Sequence, residues 1–219
     1  MVPKGEKLLV QNKIERDEIK GIDLSDEKDN LKQEPNRELL GFIKFHLWAY
    51  QYGNKGLGIR KKQPWHRRLA EKVGEPPVLI DSAKMLQSAQ RLSEYYFSKG
   101  FLENEINYSV STKKLFGLVP LKKRSVVTYN VDIKNFHSIK SIEYNATSRE
   151  LDRLVKKYDS EKLLAVDKRL DFEDIEDERN RLTNLFRNNG FYYFNATYID
   201  FQVDTNRYKY LADVVVNVR

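Results

Sequence analysis

Cysteine is absent from the 219 residues, which removes disulfides, thiol nucleophiles and thiolate metal sites together and leaves the compartment open. Histidine is nearly as scarce. His46, His66 and His137 stand singly, none at the H-x-x-x-H spacing that brings two imidazoles onto one metal, so each reads as structural or surface. No apolar run is long enough to span a membrane, in keeping with 32% charged residues and a mean hydropathy of −0.68. The amino terminus lacks the basic, apolar and small-residue regions of a secretion signal, and Met1-Val2-Pro3-Lys4-Gly5 does not read as an address, which leaves a removed signal peptide open. Gly53-Asn54-Lys55-Gly56-Leu57-Gly58 is glycine-rich but has no preceding strand and no G-K-[ST] ending, so it reads as a turn and not a phosphate cradle. The acidic run Glu173 to Glu178 serves a helix start and a solvated face. Together these absences argue against an enzyme, a cofactor and a metal site.

What the chain does have is a repeat. Arg91-Leu92-Ser93-Glu94-Tyr95-Tyr96-Phe97-Ser98-Lys99-Gly100-Phe101 returns 90 positions later as Arg181-Leu182-Thr183-Asn184-Leu185-Phe186-Arg187-Asn188-Asn189-Gly190-Phe191, so helix, glycine stop and strand start fall in one register. A fixed-offset repeat of a whole supersecondary unit describes an array of small modules, which bind along their edges more often than in a catalytic cleft. The expected modules are 5–133 and 134–219.

In the second copy, His137 to Tyr144 is a strand candidate. Thr147-Ser148-Arg149-Glu150 forms a capping box ahead of a short helix with Leu151, Leu154, Val155 and Tyr158 at helical spacing. Asp171 caps a longer helix whose stripe is Ile175, Leu182, Leu185 and Phe186 and which Gly190 stops. Two period-2 segments follow, Ile199, Phe201, Val203 and then Val214, Val216, Val218, with a turn at Asp204 to Arg207. The order is strand, helix, helix, strand, strand. The first copy matches it: Leu8 to Ile14 as a strand, a short helix from Ser25 to Gln33 ended by Pro35, a long helix 81–99 with Met85, Leu86, Ala89, Leu92 and Tyr96 as its stripe, and strands 103–112 and 124–132 joined by Leu115 to Lys123. The fold class is therefore α+β, two tandem three-stranded sheets each covered by two helices on one face.

The first copy carries an insertion at about 37–76. From Phe42 to Lys72 it holds eight cations against Glu71 alone, Arg60, Lys61, Lys62, Arg67 and Arg68 among them, interleaved with Trp48, Tyr50, Tyr52 and Trp65. Basic residues beside aromatic anchors suit a lipid headgroup surface, a partner protein or a phosphate backbone; the plainer reading is an ordered loop with a solvated rim. The net charge of +7 and a pI of 9.3 permit nucleic-acid binding as an alternative function. Elsewhere, however, cations are mixed with carboxylates and no nucleic-acid-binding motif occurs.

The repeated module, with Gly-Phe between long helix and hairpin, resembles the POTRA domain of the BamA/TamA superfamily of outer-membrane assembly factors. Val2-Pro3-Lys4-Gly5-Glu6-Lys7-Leu8-Leu9, Gln33-Glu34-Pro35-Asn36-Arg37-Glu38-Leu39-Leu40-Gly41, Gly74-Glu75-Pro76-Pro77-Val78 and Arg187-Asn188-Asn189-Gly190-Phe191-Tyr192-Tyr193-Phe194, in that order, resemble the TamA-like proteins of Bacteroidetes, which are often lipoproteins. The resemblance spans essentially the whole chain. It implies a periplasmic region tethered to the outer membrane by a C-terminal β-barrel that this sequence lacks, acting in membrane-protein insertion or translocation. Implied partners are unfolded outer-membrane protein clients, the barrel itself and a TamB-like periplasm-spanning protein, with lipid headgroups at the insertion and no nucleic acid. It further implies that the strand after each long helix is an open edge for clients. Here that maps to Glu103, Glu105, Asn107, Tyr108 and Val110 in the first copy and to Tyr193, Asn195, Thr197 and Tyr198 in the second.

Overall fold

The computed structural model describes residues 5–19, 22–37, 45–55, 68, 71–115 and 119–219. They form two compact units, one comprising 1–92 with 106–132 and the other 93–105 with 133–219. Each holds one three-stranded sheet.

The first unit begins with β1 (Leu8–Glu15), followed by helix α1 (Leu24–Asp29). The Asp23 side chain caps α1 by accepting from Ser25 N, and the helix closes at Asn30. It is shorter than expected and ends well before Pro35, because the Asn30 side chain and backbone take up the last carbonyls. Helix α2 (Phe45–Lys55) lies in the insertion. It includes Gly53, Asn54 and Lys55, so the first half of the expected glycine-rich turn is helical, while Gly56, Leu57 and Gly58 lie outside the described residues. Helix α3 (Ser82–Ser98) follows, with Asp81 Oδ1 accepting from Ala83 N and Lys84 N. Strands β2 (Asn104–Leu115) and β3 (Val119–Ile133) close the sheet. The expected connection Leu115 to Lys123 is mostly strand, since both arms run longer than their apolar alternation suggests.

β3 is central, with β1 parallel on one side and β2 on the other. One face of the sheet packs Leu9, Val127 and Tyr129 against Leu31, Met85, Ala89 and Leu92. Leu86, expected in that stripe, is 50% exposed; it sits one position round the helix from Met85 and overshoots the buried arc. The other face is covered too: Leu8, Val10 and Val126 pack with Leu47 of α2. The insertion therefore supplies a third helix, on the face that two helices alone would leave bare.

The second unit holds β4 (Ser138–Ala146), α4 (Arg149–Lys157), α5 (Phe172–Asn188), β5 (Ile199–Asp204) and β6 (Leu211–Val218). β6 is central, parallel to β4 and antiparallel to β5. Its alternation is strict, with Ala212, Val214, Val216 and Val218 all buried against Ile139, Leu151, Val155, Ile175, Leu182 and Phe186. Ser148, and not Thr147, caps α4 by accepting from Leu151 N at 3.2 Å, so the expected box with Glu150 is a simple cap one residue on. Asp171 caps α5 as expected, and Gly190 follows that helix with φ +102°.

Candidate functional site: an outer edge of the first sheet

β2 has one hydrogen-bonded neighbour, β3, so its other side is an edge of backbone N–H and C=O groups. It is 12 residues long, and its stretch from Asn107 to Ser111 is exposed throughout. The period-2 alternation sorts its side chains. Ile106 packs on the helix-side core, Tyr108 lies 6.4 Å from the buried Tyr129 ring, and Val110 follows on the same face, 39% exposed. Burial holds the Tyr129 hydroxyl above its usual pKa, and Ser88 opposes that by hydrogen bonding. Glu105, Asn107, Ser109 and Ser111 occupy the opposite, polar face. The edge thus offers one apolar and one polar side with a continuous backbone between them, the geometry an added strand requires.

Of the residues expected in this strand, Glu105, Asn107, Tyr108 and Val110 lie in β2. Glu103 does not. It precedes the strand, where its carbonyl accepts from Lys134 N at 3.1 Å and its carboxylate meets Lys134 Nζ at 3.5 Å.

The second expected edge is corrected. Tyr193 is in a turn, Asn195 caps a single 3₁₀ turn over Ala196–Tyr198 by accepting from Thr197 N at 3.0 Å, and the strand starts only at Ile199. Tyr193, Asn195, Thr197 and Tyr198 are therefore not strand residues. The cause is local. Phe194 is buried against Phe186 at 4.7 Å, and Arg187 Nε donates to its carbonyl at 2.7 Å, which ties the chain back to α5 before β5 begins. Consequently Tyr108 and Tyr198, equivalent by the 90-residue offset, occupy different structures. β5 leaves an edge of only 6 residues.

In the insertion, Trp48 is 52% exposed and stacks on Phe45 at 5.8 Å, while the flanking Leu47 and Ala49 are buried. Arg68 is exposed. Arg60, Lys61, Lys62, Trp65 and Arg67 lie outside the described residues.

A buried network that sequence reading missed sits in the second unit. Glu178, placed above on a solvated face, has no exposed side-chain surface. Its carboxylate accepts from Tyr144 Oη at 2.8 Å, Leu163 N at 3.0 Å, and Arg181 Nε and Nη2 at 2.8 and 2.6 Å. Burial, reinforced by that carboxylate, pushes the Tyr144 hydroxyl far above its ordinary pKa; the bond to Glu178 is the main reason Arg181 is held above the usual guanidinium value. The signal was in the spacing, since Glu178 lies three residues after Ile175 and four before Leu182, on the buried stripe. This network is structural. Among the described residues there is no cluster of three metal-ligating side chains and no helix long and apolar enough to cross a membrane.

No family model and no curated protein matches the chain. Solved structures do resemble it at low identity. The BamA POTRA3-5 segment of Haemophilus influenzae aligns with 100% of this chain and 69% of its own, at 14% identity and a TM-score of 0.42. POTRA1-2 of the periplasmic domain of Omp85 from Anabaena aligns over 100% and 98%, at 10% identity and 0.33. CdiB from Escherichia coli aligns over 99% of this chain but 28% of its own, at 8% identity and 0.33. At these identities and scores the likeness does not by itself place the chain in a family.

Proposed function

We propose that the chain is a periplasmic polypeptide-binding scaffold of POTRA type, part of an outer-membrane protein assembly or translocation factor, and that β2 takes up a client segment as an added strand. The observation that carries this reading is the long exposed edge of β2, which has one neighbour and an apolar side continuous with Ile106, Tyr108 and Val110. Support also comes from the tandem strand-helix-helix-strand-strand order and from the ordered motif series that resembles the TamA-like branch of Bacteroidetes. Main-chain pairing is largely indifferent to sequence, which suits unfolded outer-membrane clients that share little beyond alternation. On this reading the scaffold is tethered through its own C-terminal β-barrel, works beside a TamB-like partner, and has no catalytic role. The exposed Trp48 and Arg68 supply a contact for lipid headgroups or a partner protein.

The test is proline at adjacent edge positions. In a paired strand alternate N–H groups face outward, so one of Ser109→Pro and Val110→Pro removes an edge donor without breaking the β2–β3 ladder. The folded variant of that pair should lose binding to a barrel-strand peptide, while Gln202→Pro in β5 should leave it unchanged. Undiminished binding in both β2 variants would overturn strand capture at this edge.

A further inference from the structure

Two of the motifs that flank the insertion meet at its base. Gln33 and Asn36 are buried, and each amide is used at both ends. Gln33 Nε2 donates to Leu79 O at 2.5 Å and Oε1 accepts from Asp81 N at 3.3 Å, while Asn36 Nδ2 donates to Pro76 O at 2.7 Å and Oδ1 accepts from Val78 N at 3.0 Å. Asn12 Nδ2 donates to Gln33 O at 2.6 Å, which ties the same stretch to β1. Buried amides persist where such partners hold them, so residues 33–37 are fixed against β1 and against residues 75–81. A fixed backbone is what the wall of a binding site requires.

This clamp walls a cavity of about 650 Å³, within the roughly 300–1,000 Å³ of small-molecule sites. Its floor is apolar, from the buried Val10 and Leu31. Val10 enters where the pairing of β1 with β3 slips, between Leu9 and Gln11, an irregularity that re-aims side chains. The rim is cationic. Lys28 comes from α1, Arg37 from the clamped stretch and Lys113 from β2, and among the described lining residues Glu34 alone opposes them. The Lys28 and Lys113 ammonium groups have no hydrogen-bond or ion-pair partner among the described residues. Arg37 is held from outside the cavity. Glu75 accepts from its backbone N at 3.1 Å and meets Nε at 3.4 Å, which leaves both terminal nitrogens of the guanidinium without a partner among the described residues.

With Glu34 counted, the rim has an excess of two positive charges, and with Glu75 counted as well it has one. A phosphate ester brings the matching negative charge, about one for a diester and about 1.5 to 2 for a monoester. Three cations on three separate elements also suit an anion with three acceptor oxygens about a tetrahedral centre, which a planar carboxylate does not offer. We propose that this cavity binds a phosphate ester group through Lys28, Arg37 and Lys113, with the apolar part of the ester against Val10 and Leu31. The chemistry is shared by soluble phosphorylated compounds and anionic lipid headgroups. The site takes no residue from Asn107–Ser111 and does not depend on strand capture.

The experiment titrates the labelled full chain with glycerol 3-phosphate and follows amide shifts, with acetate as the planar comparison. The expected result is saturable shifts at Gln11, Asn12 and Arg37, with acetate binding more weakly. Lys28→Gln combined with Lys113→Gln should weaken glycerol 3-phosphate about tenfold, the loss that one charge-assisted hydrogen bond brings. Lys84→Gln combined with Lys114→Gln removes the same charge from exposed positions outside the cavity and should leave the affinity unchanged. Vesicles of phosphatidylcholine with and without phosphatidic acid then separate the two sources. Recruitment that needs phosphatidic acid, falls in the Lys28 and Lys113 variant and is reversed by glycerol 3-phosphate assigns the site to a lipid headgroup; saturable shifts without such recruitment assign it to a soluble phosphate ester. Absent saturable shifts at these residues, equal affinity for acetate, or equal weakening by the two pairs of substitutions would overturn the proposal.

Discussion

Replacing Glu178 with alanine removes a carboxylate that satisfies four donors at once, from Tyr144, Leu163 and twice from Arg181, in a place with no side-chain exposure. The Arg181 side chain is itself only 16% exposed, so the substitution leaves its charge buried without its counterion. Breaking such a pair from one side costs about 3–5 kcal/mol. With a slope of about 2 kcal/mol per molar urea, the midpoint of the second unit should fall by about 2 M. Arg181→Met should be similarly damaging because it strands the carboxylate. Glu178→Leu combined with Arg181→Met should cost less than the sum of the single changes, by about 1–3 kcal/mol of coupling. Unfolding of the second unit is read from hydrogen exchange at the Val214 and Val216 amides on the central strand. A loss under about 1 kcal/mol for Glu178→Ala there would refute the argument that this network is a buried, uncompensable ion pair.

The remaining predictions are smaller in scope. Gly100→Ala, with positive φ and a backbone oxygen 2.2 Å from the new methyl, should destabilise well beyond the ~1 kcal/mol of left-handed strain, whereas Gly190→Ala, with nothing within 4 Å, should cost only that ~1 kcal/mol; equal losses in urea melts would contradict the difference. Leu47→Ala opens the packing with Leu8, Val10 and Val126 and should cost about 2–5 kcal/mol, while Trp48→Ala next to it, half exposed, should stay within about 1 kcal/mol by tryptophan-independent circular dichroism. At Lys99 desolvation lowers the pKa, but hydrogen bonds to Glu173 and Asp171 outweigh it and hold the ammonium above its ordinary 10.5. Its contribution to stability is therefore complete below about pH 10.5 and is lost as pH rises through the folded value. Lys99→Met should remove that alkaline component from a stability profile measured between pH 9 and pH 12.

The elements whose periodicity is unbroken could be read from residues alone. The alternation of β6 is as strict in the structure as in the sequence, and the Ile175, Leu182, Phe186 stripe of α5 is buried as its spacing requires. The 90-residue offset located both helix ends because both need a left-handed glycine after the last turn, and it failed immediately beyond them. From Gly100 the first copy reaches β2 at Asn104, whereas from Gly190 the second does not reach β5 until Ile199. The difference lies in Phe194 and Asn195, whose burial and side-chain capping fold those residues into a turn that local propensity does not distinguish from strand. The charge of Glu178 points to solvent while its position points to the core, and only tertiary partners at Tyr144 and Leu163 make a buried carboxylate tolerable. The covering of the first sheet's second face was also hidden. Leu8, Leu9 and Val10 form a continuous apolar run that signals burial on both faces, but nothing in the sequence names Leu47 as the cover.

The most direct test of strand capture at β2 is an amide chemical-shift titration of the labelled chain with an extended peptide of alternating apolar and polar residues taken from an outer-membrane barrel strand, set against the same composition with the alternation scrambled. Strand capture predicts saturable shifts confined to Asn104–Leu115 and its neighbour β3, with slowed exchange at alternate β2 amides and weaker binding of the scrambled peptide. Shifts absent from β2, or centred on β5 or on the segment around Trp48, would contradict it.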